Sequence, residues 1–187
     1  MKIAYSKTRE QFPLSHKKIV KKTILDAVVI TILSFVVWVF LVVIFNSMEQ
    51  DTTGWLGNAT LGIFGLLFLL IFLTYLYQCW YFESYFYDLT SDFIQIKKGP
   101  ITPREITLPY ERIQDVYVDQ DLLDRIFGLY DVHLSSATIS SGIEAHIDGV
   151  EKQSAEGLRD VILQAVQQKI SKNKSADIST SHNSQIN

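Results

Sequence analysis

Two apolar runs, Ile24 to Phe45 and Trp55 to Phe82, limit what this chain can fold into. The first carries one acid, Asp26, and the second meets no charge before Glu83. A helix needs about 20 mostly apolar residues to cross roughly 30 Å of hydrocarbon. Both runs are that long, and a soluble helix is rarely apolar on every face for such a length. The sequence therefore predicts a two-span transmembrane α-hairpin over 23–82, with spans at about 24–45 and 56–82. A cleaved secretory leader fits less well. The first run exceeds an h-region of roughly 7–15 residues, and no small-x-small cleavage site follows it.

Charge sets the expected orientation. Residues 1–22 form a basic tail, with Lys2, Lys7, Arg9, Lys17, Lys18, Lys21 and Lys22 against Glu10 alone. The connection Asn46 to Gly54 holds two acids and no Lys or Arg. Basic flanks stay in the cytoplasm, so both termini are expected there, in a multi-pass protein of the bacterial inner (plasma) membrane. Trp55 at one end and Tyr75, Tyr77, Trp80, Tyr81 and Phe82 at the other read as interfacial aromatic belts. Gly57, Gly62 and Gly65 offer places for close helix packing. Cys79 stands alone and forms no internal disulfide.

Beyond Glu83 the period changes from helical to two. Alternating segments at Tyr85–Leu89, Phe93–Lys97, around Ile106 and Leu108, around Val116 and Val118, around Tyr130 to Leu134, and around Ile143 to Ile147 predict six short antiparallel strands. Asp121 and Gly128 bracket a short helical turn as N-cap and C-cap. Leu158, Val161, Ile162, Ala165, Val166 and Ile170 form an apolar stripe on a final helix. The expected fold is an α+β domain over 83–171, an antiparallel β sandwich or barrel capped by that helix. Residues 172–187 are polar and are expected to be disordered.

Leu108-Pro109-Tyr110-Glu111-Arg112-Ile113-Gln114, then Val116-Tyr117-Val118-Asp119-Gln120, then Arg125-Ile126-Phe127-Gly128 follow one another in order. This succession resembles that of bacterial membrane-anchored PH-like proteins of the YdbS type, over roughly Ile24 to Ile170. Tyr87-Asp88-Leu89-Thr90 and Gly99 also fall where that pattern has them. The resemblance implies a pleckstrin-homology-like (PH-like) domain beside membrane spans, and leaves biochemical activity undefined. Asp88, Asp92 and Asp119 make this copy more acidic than the pattern. The motif residues Pro109, Tyr110, Arg112, Gln114, Gln120, Arg125, Phe127 and Gly128 have a structural reading. Gln114 and Gln120 share the parity of Val116 and Val118 and are placed to tie backbone groups at the strand ends. Phe127 is expected to plug the core. Arg125 is placed to pair with Asp121 or Asp124, or to reach a lipid phosphate.

Chemistry-bearing motifs are few. There is no phosphate-binding glycine loop, no His-Glu-x-x-His and no cysteine pair. His133 and His146, on adjacent strands near Asp131, Glu144 and Asp148, form a conceivable metal site, but exposed sheet histidines are far commoner. Ser135-Ser136 and Ser140-Ser141 have no base beside them and read as turn residues. The part from Glu83 onward has 10 Lys and Arg against 16 Asp and Glu, which argues against nucleic acid. The expected function is a non-catalytic interaction or scaffold module, without cofactor or metal. It would be anchored in the lipid bilayer and work with a membrane protein partner or as a homo-oligomer. The alternative is lipid sensing through a basic edge made by Lys97, Lys98 and Arg104, the candidate membrane-facing residues.

Overall fold

The computed structural model describes residues 6–47, 53–136 and 145–184. The chain divides into two compact units, Ile19–Glu83 and the combination of Met1–Lys18 with Ser84–Asn187. Parts of two expected features, the connection around Met48 to Thr52 and the strand start at Ile143 and Glu144, lie outside the described residues, as do Ser140 and Ser141.

The first unit is a helical hairpin. Its helices belong to α2 (Lys17–Ser47) and α3 (Thr53–Ser84), and both are long and apolar enough to cross a membrane. Two polar bonds cross between them. Trp38 Nε1 donates to Thr60 Oγ1 at 3.2 Å, and Gln78 Nε2 donates to Asp26 Oδ2 at 2.8 Å. The glycines expected to bring the helices together do not. A Cβ at Gly57, Gly62 or Gly65 would have no neighbour within 4 Å, so packing rests on larger side chains.

The second unit starts with α1 (Lys7–Gln11), capped by the Ser6 hydroxyl on the Arg9 amide. After the hairpin come β1 (Phe86–Leu89), β2 (Phe93–Lys98), β3 (Arg104–Pro109), a 3-10 turn at Tyr110–Arg112 and β4 (Ile113–Asp119). Then follow α4 (Leu122–Phe127), β5 (Leu129–Ser136), β6 (Ala145–Glu151) and α5 (Lys152–Ser184). The strands form two antiparallel sheets in the orders β1-β2-β3 and β4-β5-β6. No ladder closes them into a barrel among the described residues. Alternation holds where strands are regular: Ile94 and Ile96 are buried beside Leu108, and Val132, Leu134, Ala145 and Ile147 line the second sheet. Ala155, Leu158, Ile162 and Val166 of α5 complete the core, with α5 packed on β4, β5, β6 and the 3-10 turn.

Two bulges interrupt the register. One lies between Ile113 and Asp115. An extra residue there puts both Ile113 and Val116 into the core and leaves Gln114 exposed. Gln114 therefore does not flank the apolar face, as strict parity predicts. Gln120 does tie a strand end, donating to the Leu129 carbonyl at 2.7 Å. The other bulge, in β6, sets Asp148 and Gly149 between the pairs Tyr130↔Val150 and Val132↔Ile147.

Three further expectations are corrected. Phe127 is half-buried rather than a core plug; α4 instead turns Asp124 inward, and Leu129 just after it is fully buried. Truncating Phe127 to Ala should therefore cost less than the roughly 3–5 kcal/mol of a buried Phe, and Leu129→Ala about 2–5 kcal/mol. Thermal melting of the two variants checks the order. The C-terminal residues from 172 continue α5 to Ser184, because no Gly or Pro breaks that polar stretch. Finally, residues 6–18 of the basic tail, expected apart from the domain over 83–171, belong to the same compact unit.

Candidate functional site: the strapped seam

The segment Ser6 to Lys18 lies across the seam between the two sheets. At its start it binds β1, the edge of the first sheet. The Ser6 hydroxyl sits 2.6 Å from the Tyr87 carbonyl and 2.8 Å from Asp88 Oδ1. Thr8 Oγ1 donates to Asp88 at 2.9 Å and accepts from the Leu89 amide at 3.0 Å. The Tyr87 hydroxyl donates to the Phe12 carbonyl; burial raises that phenol above its ordinary pKa. At its end the segment binds β6, the edge of the second sheet. Leu14 is buried and bridges Val150, and the Ser15 amide donates to the Gly149 carbonyl at 2.9 Å. One edge strand of each sheet, β1 and β6, is thus bound by the same strap. Gly149, at φ +81, and Gly157 have no side chain where Lys18 and Phe12 respectively approach.

Beneath the strap lies an ionic cluster. Lys18 Nζ is 2.9 Å from Asp148 Oδ2 and donates to the Asp148 carbonyl at 3.0 Å. Lys98, at the end of β2, reaches Asp148 Oδ1 at 3.3 Å. The Tyr85 hydroxyl donates to the same oxygen at 2.9 Å, and Lys18 Nζ stands 4.0 Å above the Tyr85 ring centroid. Side-chain exposure is 4% for Lys18 and 15% for both Lys98 and Asp148. Burial pushes the Asp148 carboxyl upward, but the two ammonium groups outweigh it and hold it below the usual carboxylate range. The cluster joins strap, first sheet and second sheet at one carboxylate.

The three basic residues of the expected edge are not equivalent. Lys97 points away from the core and pairs with Glu105 at 3.5 Å. Lys98 has the parity of Ile94 and Ile96 and turns into the cluster. Arg104 stands exposed at the end of β3, near exposed Ile101. Asp148, which strict alternation with buried Ile147 would turn outward, is the hub of the seam.

The motif residues are mainly structural. Tyr110 is buried and donates to the Thr90 carbonyl at 2.9 Å; burial first, then Asp88 and Asp92, pushes its hydroxyl up to about 12. Pro109 precedes the 3-10 turn, and Arg112 is exposed at its end. Asp121 caps α4 through the Asp124 amide at 2.6 Å, and Gly128 ends it at φ 66. Arg125 is exposed, and so are Leu122 at 78% and Ile126 at 71%. The added acids each take a partner: Asp88 the strap, Asp92 Lys169, and Asp119 His133.

His133 is stacked between Tyr117, at 5.0 Å, and His146, at 5.3 Å between centroids. It joins Asp119 and Asp131, whose donor atoms lie with its own within 4.8 Å of one another. His146 and Asp148 are not in that group. Asp131 accepts from the Gly149 amide at 2.8 Å and so steadies the β6 bulge.

Two antiparallel sheets, a C-terminal helix and a neighbouring pair of long apolar helices fit a PH-like fold. The family described as Bacterial PH domain matches residues 23–166. The chain belongs to that family, whose PH-like domains are generally non-catalytic binding modules for lipids or proteins. No curated protein matches the chain, and no solved structure does. The strap, Ser6 to Lys18, lies ahead of the family match.

Proposed function

We propose that this chain is a two-span protein of the bacterial plasma membrane, with both termini and the PH-like domain in the cytoplasm. It acts there as a non-catalytic interaction module for a protein partner. The observation that carries this reading is a pair of helices long and apolar enough to cross a membrane, in one chain with a domain of a family of binding modules. A domain tethered to a membrane searches for partners in two dimensions, at raised effective concentration. The exposed Leu122 and Ile126, one turn apart on α4 beside Arg125, supply an apolar ridge for a protein surface. Lipid capture has less support. Three basic residues near an anionic leaflet are worth about 1 kcal/mol each, and Lys97 and Lys98 already face Glu105 and Asp148.

A photo-crosslinking residue at position 122 or 126 in intact membranes should give one defined protein adduct. An added Ile126→Asp in the variant labelled at position 122 should remove that adduct without changing the melting temperature. If no adduct forms, and vesicle binding is micromolar, salt-sensitive and abolished by Lys97→Glu with Arg104→Glu, lipid sensing is the function instead. Lys98→Glu is unsuitable for that test, because it would break the seam. Cysteine labelling checks the topology: a cysteine at the exposed position 101 should be shielded in intact cells and label once they are permeabilised.

A further inference from the structure

The hairpin holds one acid within its apolar length, Asp26, and that acid heads a cleft. The cleft measures about 500 Å³ and runs between Asp26, Val29 and Ile30 of α2 and Leu70, Leu73 and Tyr77 of α3. Gln78 donates to Asp26 Oδ2 at 2.8 Å, which orients the carboxylate. An ionisable group at membrane depth is costly unless it meets a partner.

We propose that this cleft seats a partner membrane helix carrying a Lys or Arg at the depth of Asp26, with Asp26 as its counter-ion. The inference rests on the two-span reading and names the class of partner. Three observations select that occupant. The residues from Ile24 to Phe82 contain no Lys or Arg, so a second copy docking through this face would set carboxylate against carboxylate. An aminophospholipid carries its ammonium on the water side of its phosphate, outside the apolar run in which Asp26 stands. Asp26 lies a further turn inward, about 6 Å along the helix from Lys22. The walls are largely aliphatic, with Val29 and Ile30 on α2 and Leu70 and Leu73 on α3 beside Thr74 and Tyr77, which suits the packing of a third helix.

The full chain in phosphatidylcholine nanodiscs tests the proposal. The probes are synthetic leucine–alanine helices of span length. One carries a single Lys about a turn from one end, and its control carries Leu there. Energy transfer reads binding. The Lys helix should bind at least about tenfold more tightly than the control. Asp26→Asn should abolish that difference, and Asp26→Glu should keep most of it. Equal binding of both helices, or discrimination that survives Asp26→Asn, overturns the proposal. So does displacement of the Lys helix by phosphatidylethanolamine, which would make the cleft a lipid site. Disulfide-linked dimers of Leu73→Cys in a Cys79→Ser background that exclude the probe would give the cleft to a second copy and overturn the proposal. Alkaline extraction of the chain from native membranes is the separate control: a chain released by carbonate lacks the two spans, and the underlying reading fails first.

Discussion

Asp148→Ala is expected to destabilise the PH-like unit by about 3–5 kcal/mol, because it strands two lysines at a closed seam. Domains of this kind hold about 5–15 kcal/mol in total, so the variant should melt far earlier and lose its strap first. Limited proteolysis within residues 6–16 would report that loss. The cost comes from unpaired buried charge, so removing the charges as well should recover much of it. The triple variant Lys18→Met, Lys98→Met, Asp148→Leu should be far more stable than Asp148→Ala alone. The pH dependence has a definite sign. The folded carboxyl of Asp148 lies below its unfolded value, because Lys18 and Lys98 outweigh the upward push of burial. Its contribution is present in full above about pH 4, and is lost as pH falls from there through the folded value. Acid melting curves should therefore be steeper for the parent than for Asp148→Asn. Identical curves would mean the seam does not depend on this carboxylate.

Much of the fold was legible because regular strands advertise themselves by alternation, as Ile94 with Ile96 and Val132 with Leu134 do. The long apolar helices and the caps of α4 at Asp121 and Gly128 were legible for equally local reasons. What failed was long-range. A bulge adds a residue without marking the sequence, so Ile113 with Val116 broke parity and Gln114 was misplaced. The strap resembled an ordinary basic flank, since its lysines suit a cytoplasmic tail as well as a buried pair. Only Ser6 ahead of Arg9, and Leu14 after Pro13, hinted at ordered structure. By alternation Asp148 should look outward, because the preceding residue Ile147 looks inward. The residues that cover it, Lys18 and Lys98, lie 130 and 50 positions away. Lys98 itself was readable, since it shares the parity of Ile96, yet its charge argued for solvent. Sequence periodicity gives the face of a residue and says nothing of what lies over that face.

Gly149→Ala should destabilise the same seam by about 2–5 kcal/mol, from backbone strain and overpacking together. At φ +81 an L-residue is strained before any contact is made. A Cβ there would also lie 2.6 Å from Lys18 Cδ and 2.9 Å from its Cβ and Cγ. Lys18 cannot swing aside cheaply, because its ammonium is fixed by both the carboxylate and the carbonyl of Asp148. Gly157→Ala is the sharper test, because two effects oppose. In an ordinary helix the change would stabilise by about 1 kcal/mol. Here the new Cβ would clash with Phe12 Cε1, so the ring must leave and take the strap with it. The expected result is a net loss, with faster amide exchange over residues 6–18. Adding Phe12→Ala removes the clash, and Gly157→Ala should then stabilise. That reversal of sign in a double-mutant cycle is a property of direct contact. A Gly157→Ala variant that melts higher than the parent with Phe12 intact would show that the strap does not dock on α5.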